Sequence, residues 1–222
     1  MALPLRHFAT NSKLATGKWV KIAVPATGVY EITNDELQQM GFSDPSKVQV
    51  FGMGGNVISE KLDGLYTDDL EPVSVARYND KLCFYALGPV AMEIADPRSD
   101  MPYFKRTINP YSTHGYYFLS EVNSLQTVDE QPSMSRGSVE RNTGLGYFYY
   151  EQELISVGLS GKTFLGDNIG SGVCSIDYNM PGLADNTLTV KVGAGINVSA
   201  KSYLKSSITA NGTQTTIDYP NS

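Results

Sequence analysis

The sequence predicts a mainly all-β protein made of β-sandwich-like units with one or two short helices. Three observations lead there. Short runs alternate apolar with polar residues, turn formers recur between those runs at intervals of roughly ten residues, and the composition can bury a core. Hydrophobic residues make up 41% of the 222, with 14 Tyr and 8 Phe, which excludes a disordered chain.

The elements follow in chain order. Trp19-Val20-Lys21-Ile22-Ala23-Val24 places Val20, Ile22 and Val24 on one face, the period-2 pattern of a half-buried strand, and Pro25 ends it. After Thr27-Gly28, the run Val29-Tyr30-Glu31-Ile32 reads as the returning strand of a hairpin. Thr33-Asn34-Asp35-Glu36 then supplies a capping hydroxyl with a carboxylate three residues on. Leu37 and Met40 follow, and Gly41 is placed to stop the helix, so one short helix is predicted near 34–40.

Val48-Gln49-Val50-Phe51 is a further strand, and the glycines of Gly52-Met53-Gly54-Gly55-Asn56 predict a tight turn rather than a phosphate cradle, since no Lys-Ser/Thr follows. Strands are also predicted at Val73–Arg77, Leu82–Ala86 and Gly115–Leu119. Between Ser120 and Gly146 polar residues dominate, which predicts an exposed connection. The expected organisation is an N-terminal β unit over 1–120, a linker over 121–146, and a second β-sandwich-like unit over 147–222. Strands in the second unit are expected at Gly172–Asp177, Thr187–Val192, Ile196–Ala200 and Thr215–Tyr219. This second unit is short for an independent sandwich core, so a truncation near Ser222 is expected.

Charge and cysteine usage exclude several functions. Seventeen basic against 23 acidic residues, net −6 with no Lys/Arg run, lack the electrostatic footprint of a nucleic-acid or anionic-membrane binder. No stretch approaches the roughly 20 apolar residues of a spanning helix. Met1-Ala2-Leu3-Pro4-Leu5-Arg6 lacks the apolar segment of a signal peptide, so either the protein is cytosolic or a signal was removed before this sequence begins. Cys83 and Cys174 stand without a second Cys or a His at ligand spacing, so no metal or cofactor is expected; two buried thiols are expected instead.

A cysteine peptidase needs a thiolate beside an imidazole, and only His7 and His114 are present to serve. His7 lies near the chain end and His114 in a turn, so no catalytic residue is assigned. The acidic residues Asp68, Asp69, Glu71 and Asp177 fit no calcium loop and read as solvated faces. Tyr147-Phe148-Tyr149-Tyr150 reads as a strand with about half its rings turned to the core. Tyr147 and Tyr149 are the candidate surface or interface aromatics.

Three phrases together resemble the N-terminal, pre-catalytic region of gingipain-like cysteine peptidases of Bacteroidota, in particular the type IX secretion sortase. The first is Gly17-Lys18-Trp19-Val20-Lys21-Ile22-Ala23-Val24 leading to Gly28-Val29-Tyr30-Glu31-Ile32-Thr33, then Leu37, Met40 and Gly41. The second is Val48-Gln49-Val50-Phe51-Gly52 with Gly54-Gly55-Asn56. The third is Tyr150-Glu151 with Leu159-Ser160-Gly161-Lys162 and Phe164-Leu165-Gly166-Asp167, where Lys162 and Asp167 depart from the Arg and Glu of that pattern.

The resemblance implies an extracytoplasmic, non-catalytic module that supports or masks a peptidase domain. Its partners would be that adjoining domain or surface proteins. The family's catalytic His and Cys have no matching positions. The alternative expectation is a surface adhesion or glycan-binding β-sandwich module, drawn from the aromatic strand residues and the acidic balance.

Overall fold

The computed structural model describes residues 9–58, 67–95, 98, 103–130, 137, 146–156, 159, 161, 164–169, 172–182, 204–210 and 212–219. The chain divides into two compact units, Met1–Ser138 and Val139–Ser222. It is mainly β, with antiparallel sheets and, among the described residues, one α-helix.

In the first unit the strands are β1 (Val20–Val24), β2 (Gly28–Thr33), β3 (Val48–Gly54), β4 (Pro72–Val73), β5 (Val75–Tyr78), β6 (Lys81–Ala86), β7 (Val90–Ala95), β8 (Tyr103–Ile108) and β9 (Gly115–Glu121), with helix α1 (Asn34–Gln39) after β2. A four-stranded sheet in the order β1-β9-β3-β4 and a three-stranded sheet in the order β2-β6-β5 share one core. Val24, Val48, Val50, Tyr117 and Leu119 come from the first sheet. Ile32, Val75, Leu82, Phe84 and Ala86 come from the second, and Leu37 and Phe42 add the helix and the turn after it. The alternation in sequence is what delivers these side chains to one face of each strand.

The predicted β1–β2 hairpin is not formed. β1 pairs with β9, from Val20↔Leu119 to Val24↔Gly115, and β2 pairs with β6, from Gly28↔Ala86 to Thr33↔Lys81. The short Pro25–Thr27 connection therefore crosses between layers, which lets Val24 and Ile32 enter one core from two sheets. A local hairpin would satisfy the same backbone groups without building two layers.

The glycine run also differs from its predicted tight turn. β3 continues through it, and its register against β9 shifts between Phe51 and Gly54, with φ of +138° at Gly52 and +85° at Gly54. Glycine here makes a bulge inside a paired strand. Gly55 then meets two other glycines: a Cβ on Gly55 would lie 2.6 Å from the Gly88 carbonyl carbon and 2.8 Å from the Gly115 Cα.

Helix α1 is specified as read. Thr33 caps it, its hydroxyl accepting from the Glu36 amide at 3.2 Å while the Glu36 carboxylate accepts from the Thr33 amide at 2.7 Å. Gly41, with φ +88°, ends it. Leu37 is the residue the helix buries.

The chain after β9 returns to the sandwich. The Val122 amide donates to the Lys47 carbonyl, the Val75 amide to the Gln126 carbonyl, and the Val128 amide to the Val75 carbonyl, so the free edge of β5 is covered. Gln49, buried in β3, holds this segment: its side-chain oxygen accepts from the Gln126 amide at 2.8 Å and its amide nitrogen donates to the Val73 carbonyl at 2.6 Å. β7 and β8, not anticipated from sequence, form a separate ribbon with Glu93 and Lys105 paired at 3.1 Å across it.

In the second unit, β10 (Ile155–Ser156) pairs with β11 (Phe164–Leu165), and β12 (Leu204–Ala210) pairs with β13 (Thr213–Tyr219) in a hairpin turning at Gly212. β13 takes in the predicted Thr215–Tyr219 strand. The predicted strand at Gly172–Asp177 is not formed: these residues make no ladder and are exposed. Without a partner to take its backbone bonds, apolar alternation alone does not make a strand. The predicted strands at 187–192 and 196–200 lie outside the described residues.

Candidate interaction surface

In the first unit, among the described residues, β1 and β2 are both terminal strands of their sheets, β1 beside only β9 and β2 beside only β6. The opposite side of the sandwich is closed by the β4-to-β5 connection and by the 126–128 segment. The β1–β2 side holds a cleft of about 190 Å³ walled by Ile22, Val24, Tyr30, Ile32, Met40 and Phe84.

Two carboxylates reach this cleft, and both are committed. Glu36 accepts from the amide and hydroxyl of Thr33, and those bonds hold its pKa below the ordinary carboxylate value. Glu31 is paired with Lys81 at 2.5 Å; that hydrogen bond, and then the charge of Glu31, raise the Lys81 pKa. The cleft can therefore receive apolar groups beside two strand edges, and it offers no acid–base pair.

β2 carries the surface round onto the outer face of its sheet. Leu82, Phe84 and Ala86 of β6 enter the core, so Lys81, Cys83 and Tyr85 between them face outward. Val29 stands opposite Tyr85, and Tyr78 opposite Lys81. Val29, Tyr78 and Tyr85 are 72%, 67% and 56% exposed; Val29 and Tyr85 are cross-strand neighbours, and Tyr78 stands opposite Lys81, four residues along β6 from Tyr85. Alternation around Phe84 could have located Tyr85 from sequence; which strands would lie beside it could not be read.

The outer face of the four-stranded sheet is covered at Phe51 and exposed at Lys21, Ala23 and Tyr116. Trp19 packs edge-on against Phe51 at 5.2 Å between ring centroids, and its indole N–H donates to the Thr16 carbonyl. Near the start of β9, a shallow depression of about 330 Å³ is lined by Asn109, Tyr111, Ser112, Thr113 and Tyr116. Its polar side chains serve the loop: Asn109 donates to the Gly55 carbonyl and Ser112 to the His114 carbonyl.

His114 lies in a bend, its ring nitrogen 3.0 Å from the Thr113 hydroxyl and its ring 6.3 Å from Tyr116; His7 is outside the described residues. Neither thiol is buried, against the expectation from sequence. Both cysteines are free, Cys83 half-buried on an outward strand position and Cys174 exposed. Lost solvation, then the Asp167 carboxylate 3.6 Å away, raise the Cys174 pKa, which disfavours the thiolate a nucleophile needs. Among the described residues, no group of three or more His, Cys, Asp or Glu side chains gathers as metal ligands.

Tyr147, Phe148, Tyr149 and Tyr150 are not in a strand, and all four rings are exposed, Tyr147 by 56% and Tyr149 by 42%. With no ladder to impose alternate faces, half of them do not turn inward as predicted. Tyr149 donates to Glu151, Tyr150 donates to Asp167 at 2.7 Å, and Phe148 lies 5.9 Å from Tyr178.

The chain is similar to a PorU structure. That structure is dimeric latent PorU from Porphyromonas gingivalis, 43% identical, with a TM-score of 0.52, the match covering 65% of this chain. It covers 13% of the PorU chain, so this chain spans about an eighth of PorU's length. No family model matches the chain, and no curated protein matches it. Among the described residues no helix is long and apolar enough to cross a membrane.

Proposed function

We propose that this chain is a non-catalytic N-terminal module of a gingipain-like cysteine peptidase of the type IX secretion sortase kind, acting outside the cytoplasm. Its role is to support or mask a catalytic domain through protein contacts, with a boundary between its two units within 121–146. The observation that carries this reading is the 43% identity to PorU over 65% of the chain, in a match confined to 13% of PorU. A segment of that extent leaves most of such a protein for other tasks. The PorU structure is described as latent, which fits a masking role for a module of this kind.

The surface suited to that role is the β1–β2 cleft with the adjoining Val29, Tyr78 and Tyr85 face. Exposed aromatics on a rigid sheet beside open strand edges favour protein association. A glycan-binding reading would draw on Tyr147 and Tyr149, but these rings lie outside any ladder and Tyr149 is bonded to Glu151, so no strand face presents them as a platform.

The test uses the full parent reading frame with and without this module, comparing peptide cleavage and solubility. A masking module predicts activity that rises on deletion, and a supporting one predicts loss of folded protein. Unchanged cleavage and folding in the deletion would overturn the proposal, as would a parent frame that encodes no peptidase domain.

A further inference from the structure

The N-terminal stretch before β1 is fastened in an unusual way. Residues 9–18 are all exposed, so no burial holds them. They form an extended run interrupted by one 3-10 turn at Lys13–Ala15, capped by Ser12. What holds them, beside the bond from the Trp19 indole N–H to the Thr16 carbonyl, is an acidic turn just ahead of β4. The Asp69 carboxylate accepts from the Lys13 amide at 2.8 Å and from the Ser12 hydroxyl at 3.4 Å. The Lys13 ammonium donates to the Leu70 carbonyl and lies 3.7 Å from Glu71, and the Ala9 amide donates to Asp68.

The turn itself is anchored to the sandwich. The Glu71 carbonyl accepts from the Gly52 amide at 2.8 Å, and the Leu70 amide donates to Asp69 at 2.8 Å. At the other end, Gly17 has φ +83°, a conformation that glycine adopts at no steric cost. Beyond it Lys18 is held, its ammonium donating to the Gly41 carbonyl and its own carbonyl accepting from the Ser120 hydroxyl at 2.9 Å. Trp19 then sits on Phe51. One stretch thus has a fixed root at Lys18–Trp19, a glycine pivot at Gly17, and a polar clasp at its far end.

We infer that residues 9–17 form a strap that opens about Gly17 when the Asp68–Glu71 clasp releases Ser12 and Lys13, while the sandwich stays folded. Local opening is expected where contacts are few and polar and the backbone is exposed. The clasp is charge-assisted, so its removal changes the open fraction severalfold without touching the core. The strap then controls whether the chain ahead of Trp19 is presented or withheld. This inference is independent of the peptidase-module reading.

The test is limited proteolysis of the full chain with thermolysin, which cuts before apolar residues, read by mass at two bonds. Leu14 reports the strap and Leu82, buried in β6, reports the sandwich. Asp69→Ala is expected to raise the cut before Leu14 about tenfold, and Lys13→Gln roughly threefold, with the cut before Leu82 unchanged. Emission from Trp19, the only tryptophan, should shift as the strap opens, because its indole N–H donates to the Thr16 carbonyl inside the strap. Parallel rises at Leu14 and Leu82 would mean that the sandwich itself unfolds and would overturn the inference. So would native cleavage before Leu14 as fast as in a free peptide of residues 9–19. If Asp69→Ala does not fold, Lys13→Gln carries the same two outcomes.

Discussion

Replacing Gln49 by Met tests how the sandwich is closed. The change keeps the side chain's length and apolar bulk, in a residue only 1% exposed, and removes its polar end. Three bonds are lost, to the Val73 carbonyl at 2.6 Å, to the Val50 carbonyl at 3.0 Å and from the Gln126 amide at 2.8 Å. Each contributes about 0.5–1.5 kcal/mol, and leaving a buried partner unpaired costs about 1–3 kcal/mol. The Gln126 amide is only part-buried and can turn to water, so the main penalty falls on the Val73 and Val50 carbonyls. A loss of about 2–3 kcal/mol is expected from urea unfolding followed at Trp19. Faster hydrogen exchange at the Val128 amide, which bonds Val75 only while the returning segment is seated, should accompany it. A loss below about 0.5 kcal/mol with unchanged Val128 protection would show that the glutamine does not hold the segment.

Thr33→Ala removes one half of the capping box and should cost about 1 kcal/mol by urea midpoint, with Thr33→Ser recovering most of it. Gly55→Ala pushes a methyl to within 2.8 Å of both Gly88 and Gly115 backbone, so a loss of about 1–3 kcal/mol or failure to fold is expected; a neutral result would refute the tight glycine junction. Lys81→Met, by contrast, breaks a surface pair and should change stability by less than about 1 kcal/mol in the same assay.

Acid should destabilise the first unit. Glu36, Asp44, Asp69 and Glu121 have pKa values lowered chiefly by bonds from the Thr33 amide, the Ser46 hydroxyl, the Leu70 amide and the Asp44 amide, respectively. A depressed folded-state pKa adds stability that is present above the unfolded value, about 4, and lost as pH falls through the folded values. The urea midpoint should be flat from pH 7 to 5 and fall below about 4; a rise on acidification would contradict these bonds.

Much of the fold was legible because its causes are local. Alternation in Val20–Val24, Val29–Ile32, Val48–Phe51 and Leu82–Ala86 fixes which side chains enter a core. Thr33, Glu36 and Gly41 specify α1 through bonds spanning three residues and one backbone conformation. The candidate surface was less legible. Tyr85 alternates with Phe84, but its exposure with Val29 and Tyr78 depends on β2 and β5 flanking β6, pairings between residues some 50 apart and next-door neighbours alike. The aromatic run at 147–150 looked like a strand because rings favour strands, yet a ladder needs a partner, and no sequence pattern names one.

The sequence by itself determined a mainly β chain, its helix and its end signals, the lack of a basic footprint, and the residues available to a core. Only the tertiary structure decided that β1 and β2 part into different sheets, that the glycines bulge a paired strand, and that a polar Gln49 is buried to bridge the returning chain. It also decided that Asp69 clasps Lys13. The physical reason is common to all four: strand pairing and burial are set by which distant segments satisfy one another's backbone groups, and that competition is settled across the whole unit.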